Sequence, residues 1–330
     1  MIGNDWHNII FNSSISFADR FDAVYRYQIQ ANTIYKNFSA VFGLNENSEI
    51  TPESAPLLPI RAFQIETLYT ADHEYELIFK SSGTSGMQRS THYIADKRLY
   101  ERAIIQGFSE HFPLSEYSIL CYMPVYSDNQ YSSLIWMANY LIKKDNSGLS
   151  RFLDQSVKLD NWIEKVDELG RKPILFGAAF GLLDILKNTN YIKSKPFEII
   201  ETGGMKTYRR EISKAELRKV LSEGYGTEQS SIHSEYGMCE LLSQMYSIGG
   251  EWFTTPHWME VTIRNPDNPQ EICKPGEEGK IGIIDLANVY SCPFLLTEDK
   301  GVMDQEGKFK VLGRWNSDDL RGCNFLIDRD

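Results

Sequence analysis

The sequence lacks the features that direct a chain into a membrane or into the secretory pathway. Its first residues, MIGNDWHNIIFNSS, contain no basic stretch followed by an unbroken apolar run. No window approaches the roughly 18 consecutive apolar residues that a membrane span needs. From these absences we expect a soluble, cytoplasmic protein with no membrane span.

The sequence also lacks an excess of positive charge and a metal-binding pattern of cysteines. Lys and Arg total 34 against 45 Asp and Glu, which gives a formal net charge of −11 and disfavours a nucleic-acid partner. The cysteines show neither CxxC nor Cys/His ligand spacing, so we expect no disulfide framework and no structural zinc site. Each is expected by default to be a small buried hydrophobic residue. The five are Cys121, Cys239, Cys273, Cys292 and Cys323.

What the sequence does contain is enough apolar material for a full core, in a pattern of alternating strands and helices. Of its 330 residues, 42% are hydrophobic and 12% aromatic. Residues 16–42 read as a helix, and 117–125, 173–180 and 195–204 as strands, which predicts a parallel sheet covered by helices. After residue 250 short strands and turns prevail. We predict an α/β core over 1–250 and a smaller β-rich lobe over 251–330.

A loop rich in glycine and hydroxyl side chains follows the predicted strand YELIFK. In FKSSGTSGMQRS, Gly83, Thr84, Ser85 and Gly86 can turn several backbone N–H groups and hydroxyls toward one concavity, an arrangement that binds phosphate oxygens. It is not a Walker A loop, because only two residues separate the glycines and no Lys-Ser/Thr pair follows. Taken alone, the segment also fits a flexible surface turn.

Further motifs follow in the order found in one superfamily. The loop resembles the Ser/Thr/Gly-rich phosphate loop of the adenylate-forming enzymes; Tyr236 to Glu240 resembles their YGxTE motif with Cys239 in place of Thr; Asp299 lies in a TGD-like motif and Arg314 in a GRxDD-like motif. This resemblance implies the adenylate-forming-enzyme large-domain fold, with parallel and mixed sheets flanked by helices.

Two departures from the usual pattern narrow the resemblance. Gln88 and Arg89 stand where Pro-Lys is usual, and the small C-terminal domain that bears the catalytic Lys is expected to be absent. The sequence is most similar to the acyl-protein synthetase (LuxE-type) family and more distantly to the phenylacetate-CoA ligases. The match includes the terminal segment Arg321-Gly322-Cys323. The resemblance implies activation of a fatty acid as acyl-AMP, transfer of the acyl group to Cys323, and delivery to a partner reductase.

The same resemblance implies ATP and Mg²⁺ as cofactors and gives individual residues their roles. Glu240 and Thr84 would bind Mg²⁺, Arg89 would pair with the phosphates, and Asp299 would accept the ribose hydroxyls. Lys206, or else Lys80, would replace the absent Lys. The implied catalytic set is Cys323, Arg89, Glu240 and Lys206. The implied nucleotide-binding set is Ser82, Gly83, Thr84, Ser85, Gly86, Gly203, Gly204, Tyr236, Gly237, Asp299 and Arg314.

Several alternatives stay open at this point. The activated acid, fatty or otherwise apolar, could pass instead to coenzyme A, a carrier protein or an amine, or the chain could be a degenerate nucleotide-binding protein. His233 could orient a carboxylate or act as a base, His257 is a weaker candidate, and His92 is expected to be structural. The small residues of ILFGAAFGLLDIL could leave a channel for an alkyl chain or allow close helix–sheet packing.

Overall fold

The chain forms an α/β structure in which parallel and antiparallel sheets are flanked by helices, and this confirms the predicted fold class. The computed structural model describes residues 5–81, 89–123, 130–154, 157–188, 196–203 and 213–315. Its α-helices are Trp6–Ile10 (α1), Phe17–Ala31 (α2), Thr33–Val41 (α3), Ala62–Ile65 (α4), Lys97–Ser109 (α5), Ser133–Lys144 (α6), Leu159–Glu168 (α7), Ala179–Asn188 (α8) and Lys214–Tyr225 (α9). Short 3-10 segments span Pro52–Ser54, Gln229–Ser231 and Leu286–Asn288.

The strands form three sheets. They are Leu58–Pro59 (β1), Leu77–Lys80 (β2), Thr91–Ile94 (β3), Tyr117–Tyr122 (β4), Arg151–Phe152 (β5), Lys172–Ala178 (β6), Glu198–Thr202 (β7), Ile232–Tyr236 (β8), Met245–Ser247 (β9), Met259–Arg264 (β10), Glu278–Asp285 (β11), Phe294–Met303 (β12) and Phe309–Arg314 (β13). Six strands pair in the order β5-β4-β6-β7-β8-β9, parallel except for β9. Strands β2 and β3 form an antiparallel hairpin.

The parallel sheet is buried on both faces, which explains the apolar runs of its central strands β4 and β6. One face of β4 to β8 packs with α5 and α6 into a core that also contains the N-terminal helices. The other face packs against α7, α8 and α9 in a second core. Strands β7 and β8 end side by side at Thr202 and Tyr236, so the residues that follow them meet at one edge of the sheet.

The later strands form a five-stranded sheet that also contains a strand from the N-terminal half. Strands β10, β11 and β12 are antiparallel, and the free edge of β12 pairs first with β1 and then with β13. Because Leu58 and Pro59 add to this sheet, the strands after residue 250 share it with an earlier segment. The division into 1–250 and 251–330 stays a prediction.

Some predicted element boundaries are wrong. The helix expected over 16–42 is interrupted at Asn32, whose backbone is extended and whose side chain accepts a hydrogen bond from the N–H of Tyr35 at the start of α3. Asn32 also donates through Nδ2 to Gln28 Oε1 and Ser291 O, so its side chain replaces the continuation of the helix. The strands predicted at 117–125, 173–180 and 195–204 are each shorter, and the second passes directly into α8 as expected.

Two of the cysteines depart from the default expectation of burial. Cys121 and Cys292 are buried, as predicted, whereas Cys239 and Cys273 are partly exposed. These four carry free thiols. Over the part of the chain that the structure describes, none of the helices combines the length and the apolar character needed to cross a membrane.

The fully buried carboxylate of Asp285 ties the end of β11 to the segment that follows the turn after β8. Its Oδ2 accepts from the N–H groups of Leu242 (3.0 Å) and Ser243 (2.9 Å), and its Oδ1 accepts from Ser243 Oγ (2.7 Å) and the N–H of Ala287 (3.2 Å). Both carboxylate oxygens are therefore acceptors of two hydrogen bonds each. An amide cannot reproduce this arrangement, because one of its two ends donates.

We expect Asp285→Asn to lower the free energy of unfolding by about 1–3 kcal/mol, the usual cost of leaving a buried hydrogen-bonding group unpaired. Chemical denaturation at pH 8 measures the change. The matched control is Asp72→Asn, since the Asp72 side chain is fully exposed. Equal losses in the two variants would contradict the role given to Asp285.

Candidate active site

The hydroxyl of Tyr236 and the carboxylate of Asp299 connect the two large sheets. Tyr236 ends β8 of the six-stranded sheet, Asp299 lies in β12 of the five-stranded sheet, and the Tyr236 hydroxyl donates to Asp299 Oδ2 at 2.7 Å. The Tyr236 ring packs edge-on against Phe253 and Phe309. Burial, and next the Asp299 charge, raise the pKa of Tyr236 well above its usual value, so it remains a hydrogen-bond donor.

Arg314 lies on the other side of the same carboxylate. It is the cross-strand partner of Asp299, and its Nε lies 3.5 Å from Asp299 Oδ1. Its side chain is 55% exposed, against 20% for Asp299, so the guanidinium reaches solvent beside the carboxylate. The sequence-predicted residues Tyr236, Asp299 and Arg314 therefore form one cluster, in which each oxygen of Asp299 keeps a lone pair for a further donor.

Glu240 is a buried carboxylate close to this cluster. It is 7% exposed, and its burial raises the pKa of the carboxyl group. A hydrogen bond from the Ser90 side chain and the charge of Arg314 lower this pKa, whereas the charge of Asp299 raises it further. Ser90 lies at the stem of the glycine-rich loop. Its contact with Glu240 therefore places the turn after β8 against that loop stem.

The side chains of His92 and Asn288 fix the backbone of the same turn. His92 Nδ1 donates to the carbonyl oxygen of Cys239 at 2.8 Å, and Asn288 Nδ2 donates to that of Glu240, also at 2.8 Å. The contact of His92 Nε2 with Ser291 Oγ completes the bonding of the ring. Since a carbonyl only accepts, the hydrogen of the neutral ring is on Nδ1. The geometry agrees with the structural role expected for His92.

The glycine-rich loop is closed at its base by the β2–β3 hairpin. The N–H of Ser81 donates to the carbonyl of Ser90 (3.0 Å), and the N–H of Ser90 donates to Ser81 Oγ (2.9 Å). Arg89, next to Ser90, is exposed. The loop residues that the sequence singles out, Ser82, Gly83, Thr84, Ser85 and Gly86, lie outside the described residues and keep the status of predictions.

The glycine pair after β7 is described in part. Gly203 has φ +80°, a left-handed conformation that favours glycine, whereas Gly204 and Lys206 lie outside the described residues. Of the two candidate lysines, Lys80 is therefore the one whose surroundings are known. Its ammonium packs over the ring of Tyr131, 4.7 Å from the centroid.

The candidate nucleophile Cys323 also lies outside the described residues. Burial, with the Glu240 charge second, raises the pKa of the competing thiol Cys239 well above its ordinary value. Burial also raises the pKa of the Cys121 and Cys273 thiols, and it raises the pKa of Cys292 to about 12. A raised pKa lowers the fraction of thiolate that nucleophilic attack needs, which disfavours each of these four thiols as the nucleophile.

The other two histidine candidates make contacts that connect structural elements. His233 Nε2 lies 2.9 Å from Glu198 Oε2, and its Nδ1 accepts from the N–H of Gly249. His257 Nδ1 lies 2.8 Å from Arg20 Nη1, and the Arg20 Nη2 donates to the His257 carbonyl. These contacts account for both rings by packing and hydrogen bonding, and a catalytic role for either stays a hypothesis.

The small residues of ILFGAAFGLLDIL serve close packing at Gly177. A Cβ at this position would lie 2.7 Å from the carbonyl oxygen of Tyr122 on the neighbouring strand and 2.9 Å from a methyl of Leu182. Of the two alternatives that the sequence left open, close helix–sheet packing is therefore the one with a contact in support.

Sequence reasoning missed the residues that hold the turn, chiefly Ser90, Asn288, Thr202 and Glu235. Thr202 Oγ1 donates to Glu235 Oε2, and both side chains are buried. One signal was available, since the buried strand β8 contains the three consecutive polar residues His233, Ser234 and Glu235, where a parallel strand is usually apolar. Asn288 gave no local signal, because its contact joins positions 48 residues apart.

A preassembled metal site is not seen in the part of the chain that the structure covers: no three His, Cys, Asp or Glu side chains there are grouped to hold an ion. Glu240 nevertheless fits a site in which one protein carboxylate and the phosphates of a nucleotide share a Mg²⁺ ion. Its buried carboxylate has a hydroxyl partner and a raised pKa, so a cation would relieve the cost of its burial.

Comparison with protein families places most of the chain in one of them. A family model described as "Acyl-protein synthetase, LuxE" matches residues 122–330, which is more than half of the chain. Comparison with curated protein sequences gives no match.

Comparison with solved structures concerns the fold. The chain is similar to ATP-bound MatB from Rhodopseudomonas palustris, with TM-score 0.54 and 16% identity over 74% of this chain, and it spans half of the length of that protein. It is also similar to an open conformation of 2-hydroxyisobutyryl-CoA ligase in complex with 2-HIB-AMP and CoA, with TM-score 0.66 and 12% identity over 90% of this chain and 69% of the other. At identities this low the comparison establishes the fold alone. The structural similarity confirms the predicted adenylate-forming-enzyme fold.

The burial of His92 predicts a distinct pH dependence of stability. Burial lowers its pKa from 6.5 to about 4, so its stabilising contribution is complete above pH 6.5 and is lost as the pH falls toward 4, where the unfolded chain binds a proton that the folded protein excludes. We expect the difference in free energy of unfolding between the wild type and His92→Gln to shrink by on the order of 3 kcal/mol over that range. Denaturation at both pH values measures it, and a constant difference would contradict the assignment.

Proposed function

Since this chain belongs to the acyl-protein synthetase (LuxE) family, we propose that it uses ATP to activate a carboxylic acid as an acyl-AMP, with release of pyrophosphate. The observation that carries the proposal is the cluster of Tyr236, Asp299 and Arg314 beside the buried Glu240, at the stem of the glycine-rich loop. These residues match the motifs that bind the nucleotide in adenylate-forming enzymes.

The acid must be activated before a nucleophile can take up its acyl group, because a carboxylate is a poor electrophile. A carboxylate oxygen attacks the α-phosphorus of ATP, a new P–O bond forms, and the bond from that phosphorus to the bridging oxygen breaks as pyrophosphate leaves. The product is a mixed anhydride whose carbonyl can be attacked by a thiolate. Negative charge accumulates on the phosphate oxygens, so cations and N–H donors that are already in place lower the barrier.

Asp299 is proposed to bind the ribose. A carboxylate offers about four lone-pair positions. Tyr236 uses one on Oδ2, and Arg314 lies 3.5 Å from Oδ1, which leaves one acceptor position on each oxygen for two vicinal hydroxyls. The Arg314 guanidinium, which is more than half exposed, would face the ribose or the phosphates.

The phosphates are proposed to lie between the glycine-rich loop and Glu240. The loop residues Ser82 to Gly86 would donate N–H and hydroxyl groups, and Arg89 would pair with phosphate oxygens. Glu240 and Thr84 would hold Mg²⁺, which when bound supplies charge neutralisation to the phosphates. Lys206 or Lys80 would provide a further cation, and Gly203, Gly204, Gly237 and the ring of Tyr236 would face the adenine.

The proposed acceptor of the acyl group is the thiol of Cys323. The thiol first loses its proton to solvent; the thiolate sulfur then attacks the acyl carbonyl, a C–S bond forms, and the C–O bond to AMP breaks as AMP leaves. The raised pKa values of Cys239, Cys273, Cys292 and Cys121 support this choice, because they disfavour each of those thiols as the nucleophile. A reductase or an acyl carrier would then receive the acyl group, and the acid is proposed to be a fatty or other apolar acid.

We expect Asp299→Ala to weaken ATP binding by about 1.5–3 kcal/mol, because hydrogen bonds to a charged group are lost. Titration calorimetry with Mg²⁺-ATP measures the change. The control is Glu306→Ala, which removes an exposed carboxylate in a turn of the same sheet. An affinity equal to that of the control would remove Asp299 from the nucleotide site.

We expect Cys323→Ser to abolish thioester formation while leaving acyl-AMP formation intact. Intact-protein mass after incubation with Mg²⁺-ATP and a set of fatty acids should show a hydroxylamine-labile acyl increment in the wild type and in the matched control Cys239→Ser. Pyrophosphate release without an increment on the wild type would indicate coenzyme A, a carrier protein or an amine as acceptor. Loss of both signals in Cys323→Ser alone would make Cys323 structural.

A further inference from the structure

A second buried carboxyl group lies directly before Tyr236. Glu235 is 5% exposed and occupies the face of β8 opposite to its neighbour Ser234. Thr202, its register partner at the end of β7, donates a hydrogen bond to Glu235 Oε2. The carboxyl therefore lies where the two parallel strands end, one residue from the tyrosine that contacts Asp299.

The Glu235 side chain folds back on the turn that follows it. A Cβ built on Gly237 would lie 2.5 Å from Glu235 Oε1, closer than real Cβ contacts come. The carboxyl oxygen thus occupies the space beside the Gly237 backbone that any other residue would fill with its side chain. This contact makes the Glu235 carboxyl part of the Tyr236–Glu240 turn.

The groups that face Glu235 come from four other elements. Glu201 on β7 adds negative charge, and Lys214 on α9 adds positive charge. The Lys214 ammonium, however, pairs with Glu201 Oε1 at 2.5 Å. The Tyr100 hydroxyl on α5 and the Tyr246 hydroxyl on β9 are also close enough for the charge of Glu235 to affect them. Burial first, and Glu201 next, raise the pKa of Glu235 to about 7, against the effects of Thr202 and Lys214.

We propose that Glu235 is a positioning residue that acts as a neutral carboxylic acid: with Thr202 it holds the Tyr236–Glu240 turn in its nucleotide-binding form, so that ATP binding is coupled to proton uptake at Glu235. The inference rests on the proposed function. A neutral acid can contact Thr202 and Gly237 without adding charge to a region that already contains Asp299 and Glu240. An ionised Glu235 would repel the triphosphate and would favour withdrawal of its side chain from the turn.

The test is ATP affinity as a function of pH in the wild type and in Glu235→Gln, which keeps the shape but cannot ionise. We expect the ratio of wild-type to Glu235→Gln affinity to fall above pH 7, by up to about tenfold per pH unit. The ratio removes the titration of ATP and of Glu240, which both proteins share. Calorimetry in two buffers of different ionisation enthalpy should also show greater proton uptake in the wild type.

Thr202→Val provides a second, independent variant. It removes the hydroxyl that lowers the pKa of Glu235, so the fall in affinity should begin at higher pH than in the wild type. An affinity ratio that stays constant from pH 6 to 8.5 would overturn the inference while leaving the proposed function intact. A wild-type protein that binds no ATP at any pH overturns both.

The contact with Gly237 can be tested without reference to titration. Gly237→Ala should weaken ATP binding, because the new methyl group displaces the Glu235 carboxyl. The same change should cost several-fold less in a Glu235→Ala background, where that oxygen is absent. Independent effects of the two changes would show that Glu235 does not act through the turn, and would refute its positioning role.

Discussion

The hydrogen bond from Tyr236 to Asp299 is the contact on which the geometry of the site depends. The two residues belong to different sheets, and the 2.7 Å bond to a carboxylate is of the short, charge-assisted kind. Packing of the Tyr236 ring against Phe253 and Phe309 holds the hydroxyl in place. This polar contact and the aromatic packing fix Tyr236 against strand β12, which carries Asp299, while Asn288 and Asp285 hold the residues that follow in the turn.

Acidic groups concentrated in a buried region give the site its electrostatic character. Burial raises the pKa of Glu240, and burial together with Glu201 raises that of Glu235. Arg314 is the cation beside Asp299, and it is more than half exposed. Burying several ionised carboxylates together costs free energy, and a bound cation or a proton would reduce that cost. This is a physical reason to propose a magnesium nucleotide, and not a free polyanion, as the ligand of the site.

The sequence predicts the parallel sheet and the nucleotide motifs because both depend on local patterns. Alternating strands and helices indicate the parallel sheet, and the resemblance of three motifs to those of the adenylate-forming enzymes identifies Tyr236, Asp299 and Arg314. The break at Asn32 was not predicted, because the helical periodicity continues across it and the contact with Ser291 that fixes the side chain is distant in sequence. Asn288 and Ser90 were missed for the same reason, since they act on Glu240 across the fold. Strand β1 joins the sheet of β12 through two residues, too few to give a pattern.

The central claim is that the cluster of Tyr236, Asp299 and Arg314, together with Glu240, forms a site that adenylates a carboxylic acid. Exchange of labelled pyrophosphate into ATP tests it most directly, because exchange requires reversible formation of the acyl-adenylate and does not depend on the final acceptor. We predict exchange that depends on Mg²⁺ and on an added fatty acid, and that is greatly reduced in Glu240→Gln. Binding of ATP without exchange, across acids of short, medium and long chain, would contradict the claim.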